Sequence, residues 1–274
     1  MTRREFGGML ASAAAAYAAP AGNLKIMALE LIELRGEHEV EAGVNGQHQV
    51  NPLDIYDEQR PVIYKDNPRG TRKQPIKAIY LRIHAGDSVF GLYGPIDREV
   101  AIVVAEEIKP FLMGKDPLAG EKLWDEMYRS NRHSRAGIFL MAISAIDNTL
   151  WDMRGRHFGV PVYRLLGGPT RSSVEVYASC LGFSLETEAV RKRCLSVKAE
   201  GYRNQKWFMG YGPGSGPEGM RRNVELVKIL RETLGDDTEL MFDAFSGWDL
   251  TYALEWARQV EQYRPRWIEE AMHP

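Results

Sequence analysis

Strand-like and helix-like segments alternate along the C-terminal part of the chain, and this alternation restricts the possible folds more than any other feature. Short apolar runs typical of strands lie at residues 173–180, 202–209, 238–243 and 266–269. Between them the apolar residues recur every three or four positions, as on one face of a helix. Strands that alternate with helices in this way favour a parallel sheet with helical crossovers.

Two of these runs end in a carboxylate, Asp243 in one and Glu269 in the next. In β/α folds chemical groups collect at the carboxyl ends of the parallel strands. Adjacent strands are about 4.8 Å apart, so both side chains can reach one ion. Carboxylate oxygens suit a hard cation such as Mg2+. The spacing also leaves a structural alternative open, in which Asp243 caps the following helix and Glu269 pairs with an arginine.

Lys206 lies on the preceding strand, in the sequence Asn204-Gln205-Lys206-Trp207-Phe208. If its side chain points to the same face as the two carboxylates, it faces the same site. A single lysine is more often a solvated surface charge. Lys206 is therefore a candidate only together with the carboxylates.

The segment Gly214–Gly219 matches the pattern G-x-G-x-x-G of dinucleotide-binding loops. In those loops the turn leaves the strand at once, whereas residues 210–213 intervene here. Pro213 and Pro217 also make the segment stiff and extended. The sequence therefore favours a loop that covers a substrate over an NAD site.

The N-terminal half predicts a domain of mixed α and β structure. A strand is expected from Lys25 to about Arg35, and a hairpin from Ile76–His84 and Val89–Tyr93. Helical patterns follow, and the one from about Ala136 to His157 is apolar almost all round between Ile138 and Ile146, which predicts a buried helix. The long polar segment Glu37–Gly70 is typical of a lid.

Composition excludes several classes of protein. A net charge of −2 argues against a nucleic-acid partner, which calls for a basic surface. Cys180 and Cys194 are too few for a disulfide scaffold or a zinc cluster, and two packed thiols are expected, with one bond between them as the alternative. No segment has the length and apolar character of a membrane span, so no membrane partner is expected.

Residues 1–18 have the pattern of an export signal. Arg3-Arg4 is followed by a short apolar run and by Ala16-Tyr17-Ala18, an A-x-A cleavage pattern. The paired arginines resemble a twin-arginine signal, which predicts a periplasmic protein. A disordered tail is the alternative.

The stretch AISAIDNTLWDMRGRHFGVPVYRLLGG, residues 142–168, resembles the enolase superfamily in its mandelate racemase and acid-sugar dehydratase branch. KDPLAGEKLWDEMY before it and LMFDA and WIEEA after it fit the same family. The resemblance implies an α+β capping domain over residues 19–168, followed by a modified (β/α)8 barrel of which residues 169–274 form the N-terminal half. It also implies homo-oligomers of the whole protein.

The resemblance also implies an activity and a set of site residues. Asp243 and Glu269 would be the first two Mg2+ ligands, and Lys206 would act on the carboxylate of a small sugar-acid substrate. Removal of the α-proton would give an enediolate, and loss of the β-hydroxyl would give a 2-keto-3-deoxy acid. Glu37–Gly70 matches the lid that sets specificity in the family, and Arg60 is the candidate contact to substrate.

Two departures bear on the reaction. Racemases of this branch carry K-x-K, and Phe208 stands at the second lysine, so a racemase with two bases is disfavoured while sugar-acid dehydratases of the L-rhamnonate dehydratase kind fit. Ala271 replaces a proline that is frequent in the family. A racemase or epimerase of the same branch, and a non-catalytic remnant or binding module, remain alternatives.

The length sets a further expectation. A complete barrel takes about 250 residues, whereas only residues 169–274 follow the capping domain, enough for about four β/α units. The third metal ligand and the histidine base of the family are then not in this sequence. We therefore expect a C-terminally truncated chain that is inactive by itself.

Overall fold

The computed structural model describes residues 24–42, 48–59 and 70–273. By its contacts the chain divides into two compact units, one of residues 1–36 and 75–172, the other of residues 37–74 and 173–274. The predicted signal at residues 1–18 and the candidate Arg60 lie outside the described residues. Across the described residues, no helix combines the length and apolar character that a membrane crossing requires.

The N-terminal sheet has the order β1-β2-β3, with β1 at Ile26–Ala42, β2 at Gly70–Ala85 and β3 at Val89–Ile96. β2 and β3 are antiparallel, as the hairpin prediction required. The predicted end of β1 near Arg35 and the predicted loop bounds were wrong, because β1 and β2 extend into that polar segment. Exposed polar strand residues show no apolar alternation, so no periodicity reveals them.

The helices of the first unit are α1 (Arg98–Val103), α2 (Lys109–Leu112), α3 (Gly120–Ser130), α4 (Gly137–Phe158) and α5 (Val162–Leu165), with a π-helical turn, Val104–Ile108, between α1 and α2. The helix predicted over residues 136–157 is confirmed as α4, and most of its apolar residues are buried, whereas Ile138 and Met141 are exposed. It packs on β3 at Gly91, where a Cβ atom would lie 2.0 Å from the Thr149 carbonyl oxygen. Glycine therefore lets the strand and the helix approach closely.

The second unit contains the predicted alternation, and its four strands form one parallel sheet in the order β4-β5-β6-β7. Its elements are β4 (Tyr177–Cys180), α6 (Thr187–Ala199), β5 (Asn204–Phe208), α7 (Gly216–Leu234), β6 (Leu240–Asp243), α8 (Leu250–Val260) and β7 (Trp267–Glu269). This is the expected partial barrel. Just before α6, Ser184 Oγ accepts a hydrogen bond from the Glu186 amide.

One face of this sheet packs on the helices. Trp207, Met209, Phe242 and Ala244 belong to a buried apolar cluster with residues of α6, α7 and α8. Cys180 and Cys194 lie in the same cluster as free thiols, as expected, and burial raises the pKa of each to about 11. Since strand side chains alternate, the residues between them in sequence point to the opposite face.

Candidate active site at the strand ends

Asp243 and Glu269 lie side by side at the carboxyl ends of β6 and β7. The parallel register pairs Asp243 with Glu269 on one side and with Phe208 of β5 on the other. Asp243 is buried, whereas Glu269 is partly exposed. The strand ends therefore bring the two predicted carboxylates to one place, with one of them still open to solvent.

The Lys206 ammonium bridges the two carboxylates. Its Nζ lies 3.3 Å from Asp243 Oδ2 and 2.8 Å from Glu269 Oε1. Burial disfavours the charged ammonium, but the hydrogen bonds to Glu269 and Asp243 outweigh it, so the pKa of Lys206 lies above its ordinary value. The side chain that the sequence placed in this site is thus buried, charged and in contact with both carboxylates.

Phe208 follows Lys206 on the same face of β5 and stands opposite Asp243 in the register. It is fully buried and lies outside the apolar cluster between the sheet and the helices. A phenyl ring has no proton to exchange and keeps water away from its surroundings. This strand thus offers one ionisable group to the site, Lys206.

The turns that follow both carboxylates have unusual backbone conformations. Phe245 and Ser246, just after Asp243, have φ of 45° and 56°, and Glu270, just after Glu269, has φ of 43°. Left-handed conformations at residues with a Cβ cost about 1–2 kcal/mol each. The Phe245 amide also donates to Asp243 Oδ1 at 3.0 Å. Strain of this kind concentrates at functional sites, which favours a functional reading of these strand ends.

A segment far away in sequence reaches the same carboxylate. Gln49 Nε2 donates to Asp243 Oδ1 at 3.1 Å. The next residue, Val50, donates its amide to the Met209 carbonyl at 2.9 Å and is fully buried in the apolar cluster of the second unit. Residues 48–59 of the predicted lid are thus anchored directly beside the candidate site.

Two glycines make room for this anchor. A Cβ atom on Gly212 would lie 2.9 Å from Val50 Cγ2, and one on Gly247 would lie 2.8 Å from it. Both distances are below what real Cβ contacts show. The glycines after β5 and β6 therefore allow the anchored segment to lie close to the backbone of the strand-end loops.

Next to the anchor, polar side chains hold a short helical turn, Pro52–Ile55. His48 Nε2 lies 3.0 Å from Asp54 Oδ2, and Asn51 Oδ1 accepts from the Leu53 amide at 2.9 Å. Asn51 and Asp54 form a reciprocal capping box at the start of this turn. These contacts fix the local shape of the segment that presents Gln49.

Within the described residues, no group of three or more His, Cys, Asp and Glu side chains is arranged to hold a metal ion. They supply a pair of carboxylates, Asp243 and Glu269, which converge on one cationic group. Carboxylate oxygens are the ligands that Mg2+ prefers. The donor set therefore fits the first part of a magnesium site.

Sequence reasoning missed Gln49. It singled out Arg60 in the same polar segment, a residue outside the described part of the chain. Gln49 and Asp243 are 194 positions apart, and no local pattern links them. The nearest signal is Val50, an apolar residue next to Asn51-Pro52 within an otherwise polar stretch.

Two protein families match consecutive parts of the chain. Residues 70–167 match the family described as mandelate racemase / muconate lactonizing enzyme, N-terminal domain. Residues 189–274 match the enolase C-terminal domain-like family. The second match contains both candidate carboxylates and Lys206.

Individual relatives point the same way. L-rhamnonate dehydratase of Saccharopolyspora erythraea is 34% identical over 175 residues, which cover 64% of this chain and 42% of that protein. Rhamnonate dehydratase from Gibberella zeae, solved in complex with Mg, is similar with a TM-score of 0.72 and 25% identity, covering 91% of this chain and 60% of that one. A racemase from Streptomyces coelicolor with bound magnesium is similar with a TM-score of 0.69 and 26% identity, covering 91% and 63%. The chain spans about two-fifths of the curated relatives that it matches.

Proposed function

The chain belongs to the enolase superfamily, with a mandelate racemase / muconate lactonizing enzyme N-terminal domain and an enolase C-terminal-like domain, and on this premise we propose that it acts as a magnesium-dependent sugar-acid dehydratase. Since it spans about two-fifths of its curated relatives, the activity is proposed for the whole protein to which these residues belong. The substrate class is a C5–C6 aldonic acid, with L-rhamnonate first among the candidates.

One observation carries the proposal: the Asp243 and Glu269 carboxylates both approach the Lys206 ammonium, at 3.3 and 2.8 Å. Two carboxylates that share one cationic partner are placed to share a divalent ion. The partly exposed Glu269 leaves a path for an ion from solvent. Their position at the carboxyl ends of parallel strands is where enzymes of the β/α class carry their chemistry.

The residues of this chain would act as follows. Asp243 and Glu269 would hold the magnesium ion, and Lys206 would place its ammonium beside the carboxylate of the substrate. A bound magnesium ion supplies stabilisation of the charge that develops when the α-proton leaves. The buried charge of Lys206 adds to this electrostatic stabilisation in a site with little water.

Phe208 favours dehydration over racemisation. A racemase with two bases needs a proton acceptor on each side of the α-carbon, and this strand supplies a phenyl ring at the second position of the K-x-K pattern. The buried ring also keeps water from that side of the site. Racemisation or epimerisation and a purely binding role remain the alternatives, and product analysis separates them.

The experiment that tests the function uses the whole protein encoded by the gene. It is incubated with L-rhamnonate and other C5–C6 aldonic acids, with Mg2+ or with EDTA. We expect a 2-keto acid that forms only with Mg2+. Epimerised acid without keto acid would instead establish the racemase, and neither product would favour the binding role.

We also propose that the protein is exported to the periplasm by a twin-arginine signal at residues 1–18. Arg3-Arg4 and the Ala16-Tyr17-Ala18 pattern support this. Mass spectrometry of the protein from a periplasmic extract should give a mature N-terminus just after Ala18. An intact N-terminus in the cytoplasmic fraction would refute the signal.

A further inference from the structure

The two carboxylate oxygens of Asp243 have different hydrogen-bond partners. Oδ1 accepts from Gln49 Nε2 at 3.1 Å and from the Phe245 amide at 3.0 Å. Oδ2 faces Lys206 Nζ at 3.3 Å. One oxygen is thus occupied by two donors from the protein, and the other is turned toward the shared cation position between Asp243 and Glu269.

Gln49 is held in place independently of this hydrogen bond. The Val50 amide is bonded to the Met209 carbonyl, and the Val50 side chain is fully buried against Gly212 and Gly247. Met209 in turn donates its amide to the Asp243 carbonyl at 2.8 Å. The segment therefore remains docked through Val50 when the Gln49 side chain is changed.

From this arrangement we infer that Gln49 is a positioning residue of the metal site. Its amide fixes the rotation of the Asp243 carboxylate so that Oδ2 is presented to the ion. The inference rests on the proposed function, because it concerns the same carboxylates. It makes residues 48–59 a structural part of the magnesium site.

The physical reason is that a free carboxylate can rotate about its last bond. When the Gln49 donor is removed, only the Phe245 amide still donates to Oδ1. The carboxylate can then rotate so that either oxygen faces Lys206. A ligand that must be ordered when the ion arrives binds it more weakly. Partners that orient metal ligands typically change metal affinity about 10–100-fold when they are removed.

The test is Gln49→Met, which keeps the length of the side chain and removes the donor. Binding of Mg2+ to the full chain is measured by isothermal titration calorimetry, and exchange of the Val50 amide by hydrogen–deuterium exchange mass spectrometry. We expect the Kd for Mg2+ to rise about 10–100-fold, with Val50 protection unchanged. The matched control is Gln59→Met, an exposed glutamine of the same segment, for which both values should stay at those of the wild type.

Each contrary outcome has its own meaning. If the wild type binds Mg2+ and Gln49→Met binds it equally well, the inference fails while the proposed function stands. If Val50 protection is lost together with binding, Gln49 only holds the segment in place, and the positioning role is overturned. If the wild type itself shows no Mg2+ binding that Asp243→Ala removes, the metal site fails and the inference fails with it.

Discussion

The two ends of the parallel sheet in the second unit carry similar charges in different surroundings. At the amino ends of β6 and β7, Glu239 pairs with Arg266, and their side chains are 46% and 57% exposed. At the carboxyl end of β6, Asp243 pairs with Lys206 of the neighbouring strand β5, and both side chains are 8% exposed. An exposed ion pair contributes about 0–1 kcal/mol to the free energy of unfolding. Loss of one partner from the buried pair leaves a buried charge without a partner and lowers this free energy strongly.

This difference indicates which end has a function. A pair at the surface needs no special explanation. A buried carboxylate, Asp243, with the partly exposed carboxylate of Glu269 beside it requires a cation, and the strained turns after both of them add a further cost. A buried ion pair adds little to stability when its desolvation is counted, which makes the carboxyl end the candidate site.

The largest expected effect is that of Lys206→Met. Removal of the cation leaves Asp243 buried without its charged partner, and we expect a loss of about 3–5 kcal/mol in the free energy of unfolding. Added Mg2+ should recover part of this loss in the variant, because the ion supplies the missing charge. Urea unfolding followed by tryptophan fluorescence, with Mg2+ and with EDTA, measures both. Stability equal to that of the wild type would contradict the difference between the two ends.

A smaller effect is expected for Gly212→Ala. The new Cβ atom would lie 2.8 Å from the Gly247 carbonyl oxygen and 2.9 Å from Val50 Cγ2. Overpacking of this kind costs about 1–3 kcal/mol, and we expect faster exchange of the Val50 amide. Gly36→Ala is the control, since a Cβ atom there meets no atom within 4 Å. Equal effects of the two substitutions would show that the segment is not anchored at this place.

At the exposed end, Arg266→Met should change the free energy of unfolding by less than about 1 kcal/mol. The pair is open to water and salt, so its loss leaves no buried charge. The same urea experiment serves as the counterpart of Lys206→Met. A loss as large as that of the buried lysine would remove the contrast on which the assignment of the site depends.

A separate prediction concerns the apolar layer between the sheet and the helices, where Cys180 and Cys194 are buried. Their pKa of about 11 lies above the ordinary value of 9.0, so at pH 8 the thiolate fraction is about 100-fold lower than in the unfolded chain. Alkylation by iodoacetamide should be slower in the native protein by at least that factor.

The same pKa values set a pH dependence. The unfolded thiols lose their protons above pH 9 while the folded ones keep them to about 11. The contribution of the buried neutral thiols to the free energy of unfolding is therefore complete below pH 9, and it is lost as the pH rises to about 11. Rapid alkylation of either cysteine in the native state at pH 8 would contradict the burial of this layer.

Local patterns in the sequence predicted the parallel sheet, the place of the two carboxylates and the long helix α4. Alternating strands and helices predicted the parallel sheet, and the carboxylates at the strand ends predicted where Asp243 and Glu269 meet. The apolar surface of α4 predicted a buried helix. Each strand or helix in these features is encoded within about twenty consecutive residues, the scale on which periodicity is informative.

Other features depend on contacts between distant residues. The hydrogen bond from Gln49 to Asp243 joins residues that are 194 positions apart, and a single polar residue in a polar segment gives no sign of its partner. β1 and β2 extend into that segment through backbone pairing, which side-chain patterns do not reveal. The positive φ of Phe245 and Ser246 is equally invisible, because residues of these types rarely adopt it.

The central claim is that Asp243 and Glu269 bind one divalent ion together. The most direct test is the change in the thermal unfolding temperature of the chain on addition of Mg2+, compared between the wild type and Asp243→Ala, with Glu239→Ala at the exposed end as the control. A rise in the wild type and in the control that is absent in Asp243→Ala is the predicted result. An equal rise in all three proteins, or none in the wild type, would contradict the claim.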